Sequence, residues 1–231
     1  DGEQWSAPID VIASDLQYYC LFRPVSDDKN LIRVVMYSNP TMGDTNIRQG
    51  FIDITTEKVY NSDGSTELGA MGVGVNKDNF SILIAENSTQ RLLDLAISEK
   101  GEPIIAFCRF AHNSAPADYF VYKGGSQHKI CTSEAPFYTG SGYHNGMSFI
   151  GTDKVVASRY DAASDCDLLE IYSLSDFSLV KELHRYNTHG KIFREIRPIV
   201  DANGLYVLTV AGYYKNNTFS DWNTECKIYE I

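Results

Sequence analysis

Long apolar runs, helical periodicity, paired cysteines and an excess of basic charge are all missing from this chain, and each absence excludes something. No stretch approaches the roughly 20 consecutive apolar residues that cross a bilayer as a helix, so no membrane partner is expected. No secretion signal is visible either, since Asp1 opens a polar stretch. The five cysteines, Cys20, Cys108, Cys131, Cys166 and Cys226, form no CxxC pair and no zinc spacing. Most sit in strand-like apolar runs, which points to buried free thiols and folding in a reducing compartment rather than to a disulfide framework. With 20 basic against 30 acidic residues the net charge is −10, which disfavours nucleic acid, because phosphate binding needs a cationic surface. An acidic ligand stays possible, since a few arginines in a pocket outweigh a distant acidic rim. There is no GxSxG elbow, no phosphate loop and no HExxH, and no cofactor or metal is expected. The segment DAASDCD (161–167) has a calcium-loop flavour but lacks the glycine and terminal glutamate such a loop needs.

What is present is β-sequence. The chain has 231 residues and is 43% apolar, enough for one large β domain, and a single domain over 1–231 is expected. Apolar residues alternate or cluster in runs of four to eight, with β-branched and aromatic types dominant. LIRVVMY (31–37), FSILIA (80–85), PIIAF (103–107), KVVAS (154–158) and LYVLTVAGYY (205–214) are the clearest. Turn residues punctuate them, and Asn203-Gly204 marks the tightest hairpin. The one helix expected is a short piece near Ser88–Leu93. From Arg91 to Ile231 three units of one kind follow each other: GEPIIAFCRFA…HKICTS, GMSFIGTDKVVASRYD…LVKELH and REIRPIVDANGLYVLTVAGYY…CKIYEI. The whole chain divides into about five sheet units, near 9–60, 61–97, 98–140, 141–190 and 191–231. At ~40–45 residues per four-stranded blade this predicts an all-β propeller of about five blades, or part of a seven-bladed one. WSAPIDVI is expected to complete the last blade as its outermost strand, removing two open edges.

Several strings together resemble the sialidase-type BNR-repeat propellers, and among them the propeller polysaccharide lyases of the ulvan and rhamnose–glucuronate lyase type. They are DGEQWSAP, LQYYCLFRP…LIRVVMYSNP, DTNIRQGFIDITTEKVY, RLLDLAISEKGEPIIAF, DYFVYKGG and IRPIVDANGLYVLTVAGYY…FSDWNTECKIYEI. The match corresponds to the middle and C-terminal part of such a protein. The lyase pattern implied by the resemblance sets two histidines well upstream of a Tyr-then-Arg pair. Here that pair is Tyr18 or Tyr19 with Arg33, and no residue precedes Asp1 to hold the histidines. Three readings stay open: part of a larger protein, different chemistry, or binding without cleavage.

Cleavage of a uronate polymer by elimination needs a cation or strong donor at the carboxylate, a base for the α-proton and an acid for the leaving oxygen. Arginine meets a carboxylate with its planar fork, and tyrosine or histidine handles protons. Catalytic roles are therefore expected at Tyr18, Tyr19, Arg33 and His144. Only one of Tyr18 and Tyr19 can face a given side of a sheet. His144 lies in TGSGYHNGMSF, where flanking glycines let backbone approach a ligand and Tyr143 adds an aromatic surface. Sugar contacts are expected at Asn46 and Arg48 in the polar segment GDTNIRQG, at His112 in RFAHNS, at Tyr143, and at Trp222, which can stack on a sugar ring or pack in the core. Arg159 and Arg197 end likely inner strands and serve either buried ion pairs or anion contacts. The leading expectation is an extracellular or cell-surface protein that acts on an acidic, uronate-containing polysaccharide by β-elimination. The alternatives are a non-catalytic glycan- or receptor-binding module, and a glycoside hydrolase of sialidase-like or arabinanase-like architecture.

Overall fold

A computed structural model describes residues 7–14, 18–25, 28–38, 44–85, 88–110, 116–134, 146–187, 191–201, 204–213 and 225–231. The chain divides into two compact units, Asp1–Asn87 and Ser88–Ile231. Every described element is a strand except one 3₁₀ turn at Lys77–Asn79, and no described helix is long and apolar enough to cross a membrane. Ser88–Leu93, expected as a short helix, opens a strand instead. Its Thr-Gln-Arg-Leu-Leu segment pairs with PIIAFCRF, and cross-strand pairing outweighs local propensity there.

The first unit contains β1 (Ile12–Ala13), β2 (Tyr18–Val25), β3 (Asp28–Ser38), β4 (Ile47–Asp53), β5 (Lys58–Tyr60), β6 (Glu67–Ala70), β7 (Val75–Asn76) and β8 (Ser81–Ile84). Its sheet runs β2-β3-β4-β5-β6, and β8 joins β4 beside β5. The start of β4 pairs with β8 and its end with β5, so β2-β3-β4-β8 is a four-stranded antiparallel meander with a hairpin inserted before its last strand. One face of this sheet carries Val34, Met36 and Ile52 into a core with Val59, Val75 and Phe80. Phe80 lies so close to the backbone of β4 that a Cβ at Gly50 would meet its ring at 2.7 Å, so only glycine fits there. β1 pairs in parallel with β7, and Gly72 and Val75 donate backbone hydrogen bonds to Asp10 and Val11. The described part of WSAPIDVI thus belongs to the first unit. It does not complete the last sheet of the chain, a correction to the closure expected from its sequence.

The second unit has three sheets. β9 (Thr89–Ile97), β10 (Pro103–Phe110), β11 (Ala117–Lys123) and β12 (Ser126–Ser133) form the first, in the order β12-β11-β10-β9. β13 (Met147–Ile150), β14 (Lys154–Asp161), β15 (Cys166–Ser173) and β16 (Leu179–Tyr186) form the second, in chain order. β17 (Lys191–Asp201), β18 (Gly204–Tyr213) and β19 (Glu225–Glu230) form the third. The expected boundary at 97/98 cuts the β9–β10 hairpin, because that sheet begins at Thr89. The last hairpin is present, but the pair Asp201↔Gly204 closes it one residue earlier than an Asn203-Gly204 turn would.

The middle sheet of this unit explains the unbroken apolar runs. Val155 and Ala157 of β14 pack into a cluster with Ile104, Ala106, Tyr119 and Met147, while Val156 between them packs with Leu169, Ile196 and Val207. A sheet covered on both faces needs apolar residues at every position, not alternate ones. Burial of each valine, leucine, isoleucine or methionine among them contributes about 1.5–3 kcal/mol. A polar tie joins the first strands of neighbouring sheets. Asp94 of β9, 8% exposed, accepts from Ser148 Oγ at 2.7 Å and from the Phe149 backbone N–H at 2.9 Å. Four-stranded meanders stacked face to face through apolar clusters are the blade arrangement of a β-propeller.

Candidate functional site

The register of β2, β3 and β4 decides which expected residues can meet. Tyr18 pairs with Ser38, Cys20 with Met36, and Met36 with Arg48, so Tyr18, Cys20, Met36 and Arg48 share one face. Tyr19 pairs with Tyr37 and Arg33 with Phe51, so Tyr19, Arg33, Tyr37 and Phe51 share the other. The structure does not bring Arg33 to Tyr18. Arg33 is 5% exposed, stacks 3.8 Å from the Phe51 ring centroid, and donates through Nη1 to Gln49 Oε1 at 2.9 Å and to the Ser62 carbonyl at 3.0 Å. Tyr19 is on its face, but stacked on Tyr37 with ring centroids 5.3 Å apart and four residues removed along β3, about 13 Å.

Tyr18, Asn46 and Arg48, by contrast, do come together, around a residue that sequence reading passed over. The Tyr18 hydroxyl donates to Asp44 Oδ2 in a short hydrogen bond. Asp44 Oδ1 accepts from both the backbone and the side-chain amide of Asn46, each at 3.1 Å. Arg48 Nε is 3.6 Å from Asp44 Oδ2, an ion pair too long for a hydrogen bond, and Nη2 is 3.2 Å from Asp78 Oδ1. Lys77 Nζ is 2.8 Å from the same Asp78 oxygen and lies over the Tyr18 ring, 5.9 Å from its centroid. The two cations are nearly buried, with side chains 10% and 12% exposed, whereas that of Asp78 is 58% exposed. Arg48 Nε is buried with no hydrogen-bond partner among the described residues.

Local sequence builds this arrangement. Asp44 sits two residues before Asn46, the spacing at which a side-chain carboxylate takes the backbone N–H and folds the chain into β4. Asn76 caps the 3₁₀ turn by accepting from the Asp78 backbone N–H at 2.9 Å, which positions Lys77 and Asp78. Burial and then the bond to Asp44 push the Tyr18 phenol well above its ordinary range. Burial works against Asp44 in the opposite sense, yet Tyr18, the Asn46 N–H, Arg48 and Lys77 hold its carboxyl below the usual range. Tyr18 is therefore neutral and Asp44 ionised near neutral pH: a proton donor held by an anion between two cations.

The other expected residues are placed as follows. Arg159 of β14 grips Glu170 with Nε at 2.8 Å and Nη2 at 3.2 Å, and reaches Asp161 with Nη1 at 3.2 Å. Tyr172 donates to the same Glu170 at 2.5 Å. Of the two roles open to Arg159, the buried ion pair is what the geometry contains. Arg197 is exposed on β17, opposite Leu208. His112, Tyr143, His144 and Trp222 lie outside the described residues. Both described histidines make aromatic contacts, His128 stacked on Phe177 at 3.8 Å and His184 edge-on to Tyr186 at 4.5 Å. Among the described residues no three His, Cys, Asp or Glu side chains converge to hold a metal. All five cysteines are free, but Cys226, read as buried, is exposed. Asp44, Lys77 and Asp78 were missed in sequence; the one signal was the Asp-x-Asn-x-Arg spacing of DTNIR.

No protein-family model and no curated protein matches this sequence. Solved structures do match in shape. The chain is similar to a PL25 ulvan lyase, with a TM-score of 0.61 at 11% identity, covering 99% of this chain and 57% of the lyase. The same values hold for that enzyme bound to -[GlcA(1-4)Rha3S]-. An α-L-arabinofuranosidase from Fusarium graminearum bound to an iminosugar inhibitor superposes with a TM-score of 0.48 at 12% identity, covering 96% of this chain and 64% of that one. The chain thus spans little more than half the length of the lyase it resembles. The described residues are nearly all-β, with several four-stranded antiparallel sheets of the propeller type.

Proposed function

We propose that this chain engages an acidic, uronate-containing polysaccharide and that its chemistry is β-elimination. The observation that carries the reading is the neutral Tyr18 hydroxyl held on Asp44 beside two nearly buried cations, Arg48 and Lys77. In the elimination a base removes the proton on C5, the C4–O bond breaks, and a C4–C5 double bond forms. A cation at the uronate carboxylate stabilises the charge that develops as C5 loses its proton. Arg48 is suited to that part, in place of Arg33, whose guanidinium serves the opposite face. Tyr18 is suited to donate its proton to the leaving oxygen, because a phenol held neutral is an acid rather than a base. Asp44 orients that hydroxyl. The reading also requires a base for the C5 proton, a part that imidazole chemistry suits. The lyase structure with a bound glucuronate–rhamnose unit supports the choice of substrate class.

A second reading, glycan binding without cleavage, is favoured by one observation: Tyr18 and Asp44 form a cluster in which no described histidine takes part. Incubation with a glucuronate–rhamnose polymer separates the readings. Elimination raises ultraviolet absorbance through the new double bond, hydrolysis releases reducing ends without it, and binding alone retards the polymer in a gel. Loss of the absorbance change in Tyr18→Phe and Arg48→Ala, with folding retained, supports the assignment. Unchanged cleavage in both variants refutes it.

A further inference from the structure

Asp78 sits where a ligand's carboxylate would be expected. Two cations are held nine-tenths or so out of solvent, and the group that joins them is a carboxylate more than half exposed. One oxygen, Oδ1, takes both contacts, from Lys77 Nζ at 2.8 Å and from Arg48 Nη2 at 3.2 Å. The backbone beneath it is fixed by the Asn76 cap, so the side chain can turn away without disturbing the 3₁₀ turn. Arg48 is not locked by its internal partners. Its Nε is buried without a hydrogen-bond partner and 3.6 Å from Asp44, and Asp78 meets it through a single nitrogen. A guanidinium so held has donor capacity left over, and a desolvated cation pair without a carboxylate would be costly.

We infer that Arg48 and Lys77 form a carboxylate-binding subsite for a uronate, and that Asp78 fills it in the free protein as an internal stand-in which the ligand displaces. The inference rests on the reading of the cluster as a sugar site and names its ligand group. Displacement exchanges one carboxylate for another, so the charge around the two cations is conserved. The sugar adds ring contacts that an aspartate side chain lacks, and the Tyr18 ring, 5.9 Å from Lys77 Nζ, offers it an aromatic surface. Asp78 also discriminates: a neutral sugar has no carboxylate with which to replace it.

The test uses sodium glucuronate, with its uncharged methyl ester as control, titrated into the wild-type chain and the Asp78→Asn and Asp78→Ser variants by calorimetry. Removal of an exposed competing ion pair is expected to tighten glucuronate binding about two- to fivefold, and to leave the ester unchanged. Adding Lys77→Met to Asp78→Asn is expected to reverse the gain. Melting curves establish that each variant is folded. Unchanged or weaker glucuronate binding in both Asp78 variants, or an equal gain for the ester, overturns the inference. The outcome separates from that of the lyase reading. Tighter binding without unsaturated product in any variant refutes elimination and keeps the subsite. Unsaturated product from the wild type without tighter binding does the reverse.

Discussion

The two units contain the same chemical parts in different states of closure. In each, a tyrosine donates to a carboxylate, that carboxylate pairs with an arginine, and the arginine reaches a second carboxylate. In the second unit the parts are Tyr172, Glu170, Arg159 and Asp161, and the arginine grips its partner with two hydrogen bonds. Glu170 is 2% exposed, and the group is a lock within the middle sheet. In the first unit the parts are Tyr18, Asp44, Arg48 and Asp78. There the arginine stands 3.6 Å off its first carboxylate, leaves Nε unbonded, and shares its second, exposed carboxylate with a lysine. A satisfied network specifies structure, whereas an incompletely satisfied one at the surface has capacity left for a ligand. Residue type does not distinguish the two; hydrogen-bond completeness does.

The largest effect expected from this contrast is on stability in the second unit. Glu170→Gln leaves Arg159 with Asp161 alone and should cost about 2 kcal/mol in denaturant unfolding, as loss of hydrogen bonds to a charged group does. Next is function in the first unit. Arg48→Ala should lower elimination about 100-fold, as loss of a charge-stabilising donor does. Arg159→Lys should leave elimination unchanged in the folded fraction; equal losses would erase the distinction between lock and site. Third, Asp44→Asn should cost only about 1 kcal/mol, the net worth of an ordinary hydrogen bond. A cost equal to that of Glu170→Gln would show the first cluster to be a lock as well.

Smaller effects appear with pH. The Asp44 carboxyl lies below its ordinary range in the folded chain, so the unfolded chain binds more protons as acid is added. Its contribution is complete above the ordinary carboxylate value of about 3.9 and is lost as pH falls through the folded value, so Asp44→Asn should flatten the acid limb of stability against pH. Tyr18 has the opposite sign. Its raised phenol contributes fully below the ordinary value of about 10 and loses that contribution at higher pH. Tyr18→Phe should remove part of the alkaline limb and leave the part due to Tyr172, which burial also raises. The smallest effect concerns the thiols. Cys226 is exposed, whereas burial pushes Cys20 up to about 11 and Cys108 and Cys131 up to about 12. A disulfide reagent at neutral pH should therefore label Cys226 quickly and those three only on unfolding.

Strand runs were legible because alternation and β-branched content are local properties. KVVAS and PIIAF were read as strands and are strands. Boundaries were less so, since the sheet containing Thr89–Ile97 owes its first strand to pairing with Pro103–Phe110, a contact that no local window contains. Part of the site was legible too. Asn46, Arg48 and Tyr18 were named from residue type and resemblance, and the structure sets them around one carboxylate. Arg33 was named on the same grounds and lies on the other face, because one residue of register decides the side of a sheet.

Composition and period alone determined that this is a β protein of repeated antiparallel units, with an acidic net charge and no apolar run of the length that crosses a membrane as a helix. The tertiary structure decided which tyrosine meets which arginine, that Asp44 joins them, and that Asp78 rather than a buried partner fills the space between Arg48 and Lys77. The reason is that sheet formation follows from side-chain chemistry along a few residues. Facing, burial and hydrogen-bond completeness depend on register between strands far apart in the chain.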